Sequence, residues 1–217
     1  CNNFARRDLC GGCRVTGSPT AMVHLSEARN MRNKMVNAED AVRLYRRLLD
    51  NGVQIWLTGG WGIDALVGKQ SRLHKDLDVI LLLDDMVPMS EILGQDGYNL
   101  KELWSENSWT VDKAGNETAT AFVLQDKECR EFDVHAIYLD EHGNGIPAWV
   151  EAEGFIFSRE DLAGEGIIAG CSVKCISPAM QVYCHTGYEL PEKQLCDLEL
   201  LHEKFGVEVP NKSKLGT

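Results

Sequence analysis

Two aspartates one residue apart, Asp76 and Asp78, lead into the longest apolar run of the chain, Val79 to Leu83. In a strand, residues i and i+2 project from the same face. Their carboxylates then stand about 7 Å apart along one edge, and two such anions repel unless a cation lies between them. Oxygen ligands of this kind suit Mg²⁺, which often completes its shell with substrate phosphates. The competing reading is a strand end facing solvent, where most charged residues sit. A third carboxylate, Asp133, lies in the clearest strand pattern of the chain, Glu131 to Leu139. There Phe132, Val134, Ala136 and Tyr138 alternate with Asp133, His135 and Ile137. If the two strands are neighbours, three carboxylates converge on a one- or two-metal phosphoryl-transfer site. Asp133 would bind a second metal or take the proton of an acceptor hydroxyl.

A phosphate needs donors as well as metal. The segment Gln54 to Thr58 reads as a buried strand that runs through Gly59-Gly60 into a short helix from about Trp61 to Val67. A strand–Gly–Gly–helix passage leaves unpaired N–H groups at a helix start. Glycine admits a ligand close to the backbone, and the helix dipole favours an anion. Many such passages are only turns, so this cradle gains meaning from the carboxylates beside it.

The elements that must hold these groups follow from periodicity. Asn37 is placed to N-cap a helix carrying Ala41, Leu44, Tyr45, Leu48 and Leu49. A helix is expected over Met86–Gly94, a strand over Tyr98–Leu103, and two strands within Trp109–Leu124 about the turn Gly115-Asn116. One or two further strands are expected in Ile167–Ile176. Ser177-Pro178 opens a helix to about Tyr188, and a last helix covers about Pro191–Phe205. Mixed helices and strands imply an α/β (α+β) fold with a mixed twisted sheet. The expected organisation is a tail or upstream scar over 1–35, a catalytic domain over 36–176, and C-terminal helices over 177–210.

Composition narrows the function classes. The 217 residues carry 33 acidic and 22 basic side chains, a formal charge of -11. Such a field repels polyanions, which argues against nucleic-acid coating. No run approaches the roughly 20 apolar residues of a membrane span, so no membrane partner is expected. With no apolar signal segment near the start, the expected location is cytoplasmic. Eight cysteines are present, but a lone Cys10-Gly11-Gly12-Cys13 pair lacks the second pair of a zinc site.

Gly59-Gly60-Trp61-Gly62-Ile63-Asp64, then Arg72-x-His74-x-Asp76-x-Asp78, then Asp133 on a distant strand resembles the nucleotidyltransferase superfamily. More narrowly it resembles the antibiotic-modifying branch, the lincosamide nucleotidyltransferases and aminoglycoside 2''-adenylyltransferases. The resemblance covers about Gln54 to Phe205. It implies a nucleotidyltransferase fold and transfer of a nucleoside monophosphate from a nucleoside triphosphate, with ATP expected, to a hydroxyl of a small acceptor. It implies one or two Mg²⁺ ions on Asp76, Asp78 and Asp133, with Asp133 the catalytic base. Gly59 and Gly60 would bind phosphate. Arg72, His74 and Lys75 would steady the triphosphate. Lys193 would either reach the triphosphate or form an i,i+4 ion pair with Asp197.

The acceptor pocket is assigned to His135, Glu151, His185 and Tyr188, with core packing the alternative for His135 and His185. Trp104, Trp109 and Trp149 are expected to be buried, with stacking on an acceptor or base the alternative. Glu141, Glu151, Glu153 and Asp161 would give a cationic aminoglycoside an acidic wall. The segments Glu131–His135 and Tyr183–Tyr188 lie closer to the lincosamide enzymes. A monomer or homodimer is expected. The alternatives are a relative that modifies a protein or tRNA, as toxin–antitoxin enzymes do, and a nucleotide-binding protein without catalysis.

Overall fold

A capping box opens the first helix. The Asn37 side chain accepts from the Asp40 N–H at 2.8 Å, and the Asp40 carboxylate receives the Asn37 N–H. The helix α1 (Ala38–Leu49) buries Ala41, Leu44, Tyr45 and Leu48 on one face. The structure, a computed structural model, describes residues 35–150, 154–186 and 190–209. The expected tail up to residue 34 lies outside them.

After α1 the chain forms β1 (Ile55–Thr58), α2 (Gly59–Val67) and β2 (Asp76–Leu82). Then come α3 (Met86–Gln95), β3 (Asn99–Leu103), β4 (Trp109–Val111), β5 (Glu117–Ala119), β6 (Ala121–Gln125), β7 (Glu131–Leu139) and β8 (Gly145–Pro147). The strands β9 (Glu165–Ile168) and β10 (Cys171–Lys174) precede the helices α4 (Pro178–Tyr183) and α5 (Glu192–Phe205).

The main sheet has the order β1-β2-β7-β6-β3, with β8 added beside β7. Only β2 and β7 pair in parallel; every other pairing in this sheet is antiparallel. The expected mixed sheet is therefore present. Strand alternation divides its side chains between two apolar clusters. Leu77, Val79, Leu81, Phe132 and Val134 join α1, α2 and α3 on one face. Ile80 and Ile137 meet Trp56, Trp149, Phe157 and Met180 on the other. That second face also carries Asp76, Asp78 and Asp133.

Three local expectations shift. The glycines do not precede α2 but form its first turn, with Thr58 as the extended N-cap. The region Trp109–Leu124 holds three strands, because the Asn107 side chain accepts from the N–H groups of both Thr120 and Ala121 and bends the chain between β5 and β6. The helix opened by Ser177 ends at Tyr183, where the Thr186 hydroxyl donates to the Tyr183 carbonyl.

One turn device recurs in the main sheet and in the separate β4–β5 hairpin. In the β4–β5 and β7–β8 hairpins, Asp112 and Asp140 each accept both the backbone and side-chain N–H of an asparagine four residues on, Asn116 and Asn144. Between β6 and β7, Asp126 accepts from the backbone and guanidinium of Arg130 in the same manner. Such Asp-centred turns fix hairpin register. For β7, register decides which residues face the carboxylates.

Candidate active site

The parallel β2–β7 ladder aligns Asp78 with Asp133 and Asp76 with Glu131. Neighbouring strands lie about 4.8 Å apart, so Asp78 and Asp133 are side by side on one face. Both are buried, at 2% and 4% exposure, and Asp76 at the strand start is half-buried. Adjacent buried carboxylates are costly without compensating donors or cations. The Trp104 indole N–H donates to Asp133 Oδ1 at 2.9 Å. His135 Nδ1 stands 3.5 Å from the same oxygen.

The helix α2 begins directly over Asp78. Gly59 has φ +57°, and a Cβ there would overlap Asp78 Oδ2. Only glycine combines that left-handed turn with so close an approach. A Cβ on Gly60 would overlap the His74 imidazole and come within 2.9 Å of Arg72 Nη2. Gly59 thus rests against β2, and Gly60 against the segment leading into it.

Two of the expected phosphate contacts are held from behind. His74 is 1% exposed, its Nε2 is 2.5 Å from Asp64 Oδ2, and its ring lies 4.8 Å from Trp61. Asp64 also accepts the Ser71 N–H at 3.0 Å. His74 therefore braces Gly60 from inside rather than lying open to a phosphate, contrary to the expectation. Burial of the ring decides this, and proximity to the aspartate pair in sequence could not reveal it. Arg72 is half-buried, and its Nε and Nη2 grip Asp197 of α5 at 3.0 and 2.7 Å. Burial opposes the Arg72 charge, but Asp197, followed by Asp76 and Asp64, outweighs it and raises its pKa.

Lys75 pairs with Glu131 at 2.6 Å and is largely exposed. Lys193 is exposed on α5, one turn before Asp197.

Next to the carboxylates stands an aromatic wall. His135 lies between Trp104, stacked at 6.4 Å, and Trp149, edge-on at 4.9 Å. Its Nε2 is 3.2 Å from Glu106. Burial pushes the Glu106 carboxyl up, but the hydrogen bond with His135 and a backbone N–H bring it below its ordinary pKa. Trp104 and Phe155 pack on the second apolar cluster, and Phe155 stacks on Tyr183 at 5.4 Å. Trp149 is buried as expected; Trp109 is exposed. His185 is buried, with Nδ1 2.6 Å from the Gln181 carbonyl.

Of the four carboxylates expected to form an acidic acceptor wall, Glu141 and Asp161 lie within the described residues. Asp161 accepts from the Ser158 and Ser177 hydroxyls, both at 2.6 Å, and ties the segment before β9 to α4. Glu141 lies exposed in the β7–β8 turn. Glu151, Glu153 and Tyr188 lie outside the described residues. The sequence reading missed Glu106 and gave Asp197 no site role beyond a possible pairing with Lys193. Their partners are 29 and 125 residues away; Glu106 sits in no pattern that marks it, and the Lys193-x-x-x-Asp197 pattern of the last helix does not point to Arg72.

The all-oxygen set of Asp76, Asp78 and Asp133 fits a hard divalent cation, and Gly59 keeps the backbone close without a side chain in between. Among the described residues, no three His, Cys, Asp or Glu side chains already form a closed metal cluster. Mg²⁺ rarely uses an all-protein cage and commonly takes one or two carboxylates with substrate phosphates.

Residues 41–201 match the family described as aminoglycoside-2''-adenylyltransferase. The chain belongs to that family. It is a nucleotidyltransferase of the antibiotic-modifying branch, as the motif from Gly59 to Asp78 implies. Within the curated relatives, a lincosamide resistance protein from Staphylococcus haemolyticus is 27% identical over 171 residues, spanning 79% of this chain and 98% of the relative. The solved lincosamide adenylyltransferase LnuA, bound to lincomycin, is 27% identical with a TM-score of 0.64, covering 77% of this chain and 97% of LnuA. ANT(2'')-Ia, solved with adenylyl-2''-tobramycin, shares the fold at a TM-score of 0.56 and 20% identity, over 75% of this chain and 86% of its own.

Proposed function

We propose that this nucleotidyltransferase moves the adenylyl group of ATP to a hydroxyl of a small antibiotic, with a lincosamide as the acceptor. The observation that carries the reading is the alignment of Asp78 with Asp133 beneath the glycine start of α2. Carboxylates and a phosphate cradle meet at one place.

Asp76, Asp78 and Asp133 would hold Mg²⁺. When bound, the ion withdraws charge from the phosphate oxygens and the leaving pyrophosphate. The chain supplies the rest. The N–H groups at the start of α2 face the triphosphate and stabilise charge where it develops. Arg72, fixed against Gly60, adds a directed cation. Asp133 takes the proton of the attacking hydroxyl, and the Trp104 N–H keeps its carboxylate aimed. The hydroxyl oxygen bonds to the α-phosphorus as the bond to the pyrophosphate oxygen breaks. In-line attack makes positioning a large part of the rate.

Two observations favour a lincosamide over an aminoglycoside. The wall beside Asp133 is aromatic: Trp104 donates to its carboxylate, and His135 lies between Trp104 and Trp149. Asp161, once a candidate for an acidic wall, is consumed by structural hydrogen bonds. An acceptor with an apolar face and little charge fits such a wall better than a polycation does.

The test is pyrophosphate release with Mg²⁺, four nucleoside triphosphates, and panels of lincosamides and aminoglycosides. Release that needs ATP, a lincosamide and Mg²⁺, and disappears in Asp76→Asn, supports the reading. Release driven by aminoglycosides alone would reassign the acceptor. Turnover that persists in Asp76→Asn or in excess chelator would remove the site assignment.

A further inference from the structure

The last helix touches both ends of the phosphate-binding helix. At the N-terminal end, Asp197 of α5 takes the Nε–Nη2 edge of Arg72 in a bidentate grip, and Arg72 Nη2 lies against Gly60. At the C-terminal end, Lys204 of α5 donates to the Leu66 and Val67 carbonyls at 3.0 and 2.9 Å. Those two carbonyls are among the last of α2, which have no partner inside the helix. A lysine there also suits the negative end of the dipole. The two contacts are seven residues apart along α5, about two turns on one face.

They differ in chemistry. Lys204 completes the backbone of a finished helix end. Asp197 orients a guanidinium whose Nη2 lies beside Gly60 of the cradle and whose Nη1 donates to the Leu73 carbonyl at 3.3 Å. A cation at a helix N-terminus is unfavourable by itself, since both carry positive charge. Asp197, buried at 2% exposure, offsets that repulsion while the cradle is empty of phosphate. A planar guanidinium held along one edge has no freedom to swing away.

We infer that Asp197 is a positioning residue for nucleotide: through Arg72 it sets the affinity of the α2 cradle for the triphosphate. The inference rests on the adenylyl-transfer reading only in taking ATP as the ligand. Acceptor and chemical step do not enter it. Arg72 meets phosphate; Asp197 acts through Arg72; Lys204 holds the same two helices together without facing the ligand.

The experiment compares Asp197→Asn, Asp197→Glu and Lys204→Met in the full chain. Calorimetry reads the Kd of a non-hydrolysable ATP analogue with Mg²⁺, and steady-state kinetics reads KM for ATP and for the acceptor. Thermal denaturation confirms that each variant is folded. Asp197→Asn is expected to raise Kd and KM for ATP about tenfold, the loss of one charge-assisted contact. KM for the acceptor should hold within about twofold. Asp197→Glu is expected to recover part of the affinity. Lys204→Met is expected to lower the melting temperature and leave nucleotide affinity unchanged. The inference is overturned if Asp197→Asn binds the analogue as tightly as the parent, or more tightly. It is also overturned if Lys204→Met weakens nucleotide as much as Asp197→Asn, because the effect would then be docking of α5 and not orientation of Arg72. Nucleotide binding without transfer to any tested antibiotic would leave this inference standing and count against the acceptor assignment alone.

Discussion

Gly59 lies against Asp78 so closely that a single methyl group at Gly59 would overlap the Asp78 carboxylate. The contact joins the start of α2 to the middle of the carboxylate set, and each fixes the other.

Gly59→Ala tests this contact. A left-handed alanine costs roughly 1–2 kcal/mol, and the overlap displaces α2 or Asp78. A displacement of about 1 Å at a reacting centre costs on the order of a hundredfold in rate. The expected result is a clear fall in melting temperature and a loss of turnover near that size. Gly94→Ala is the control. Gly94 lies within α3 with open space at its Cβ and an ordinary φ, so the substitution should be neutral or stabilising by up to about 1 kcal/mol.

Trp104→Phe keeps most of the aromatic surface and removes the N–H that reaches Asp133 at 2.9 Å. A hydrogen bond to a charged group is worth about 1.5 kcal/mol or more, or roughly tenfold in rate. The expected effect is a fall of that order in kcat with KM for ATP little changed. Equal losses in ATP binding and turnover would show that Trp104 shapes the nucleotide site instead.

Glu106 provides a pH prediction. Its carboxyl sits below its ordinary pKa despite burial, chiefly through His135. A depressed folded pKa stabilises the protein above the unfolded value and loses that stabilisation as pH falls through the folded value. The window therefore runs downward from the ordinary value of 4.5. Glu106→Gln should lower the melting temperature at neutral pH, and the difference from the parent should shrink through that acid window. A constant difference across the window would mean that packing, not ionisation, accounts for the change.

The cysteines should divide by burial. Cys175 is buried, and burial pushes its thiol up to about 12. The thiolate is the reactive form, so brief alkylation of the native protein should spare Cys175 and modify the exposed Cys129 and Cys196. Peptide mass analysis after quenching reads the order. Early modification of Cys175 would indicate that the cluster around β10 opens readily.

Most of the carboxylate geometry is legible in the sequence. The alternation of Glu131 to Leu139 fixes the face of Asp133, and the spacing of Asp76 and Asp78 fixes theirs. Parallel pairing of the two strands was the one step left to be supplied. The residues that hold the site from outside are less legible. Trp104 and Glu106 follow β3 in a loop, where no period signals direction. Asp197 occupies an ordinary buried helix position until Arg72 is seen to reach it across 125 residues of chain. His74 illustrates the reverse case. A histidine beside two aspartates reads as a contact to the triphosphate, yet its ring is enclosed by Trp61 and Asp64. Sequence proximity reports what a side chain is near along the chain, and burial depends on elements packed from elsewhere.

The splint formed by α5 also has an order in time. Gly59, Gly60 and Arg72 are synthesised before Asp197, with Arg72 leading it by 125 residues. At 5–20 residues per second that interval is roughly 6–25 s. During it the carboxylate strands can pair while the cradle lacks its last support. A growing chain would then hold its glycine turn and its paired carboxylate strands before the helix that braces α2 has left the ribosome.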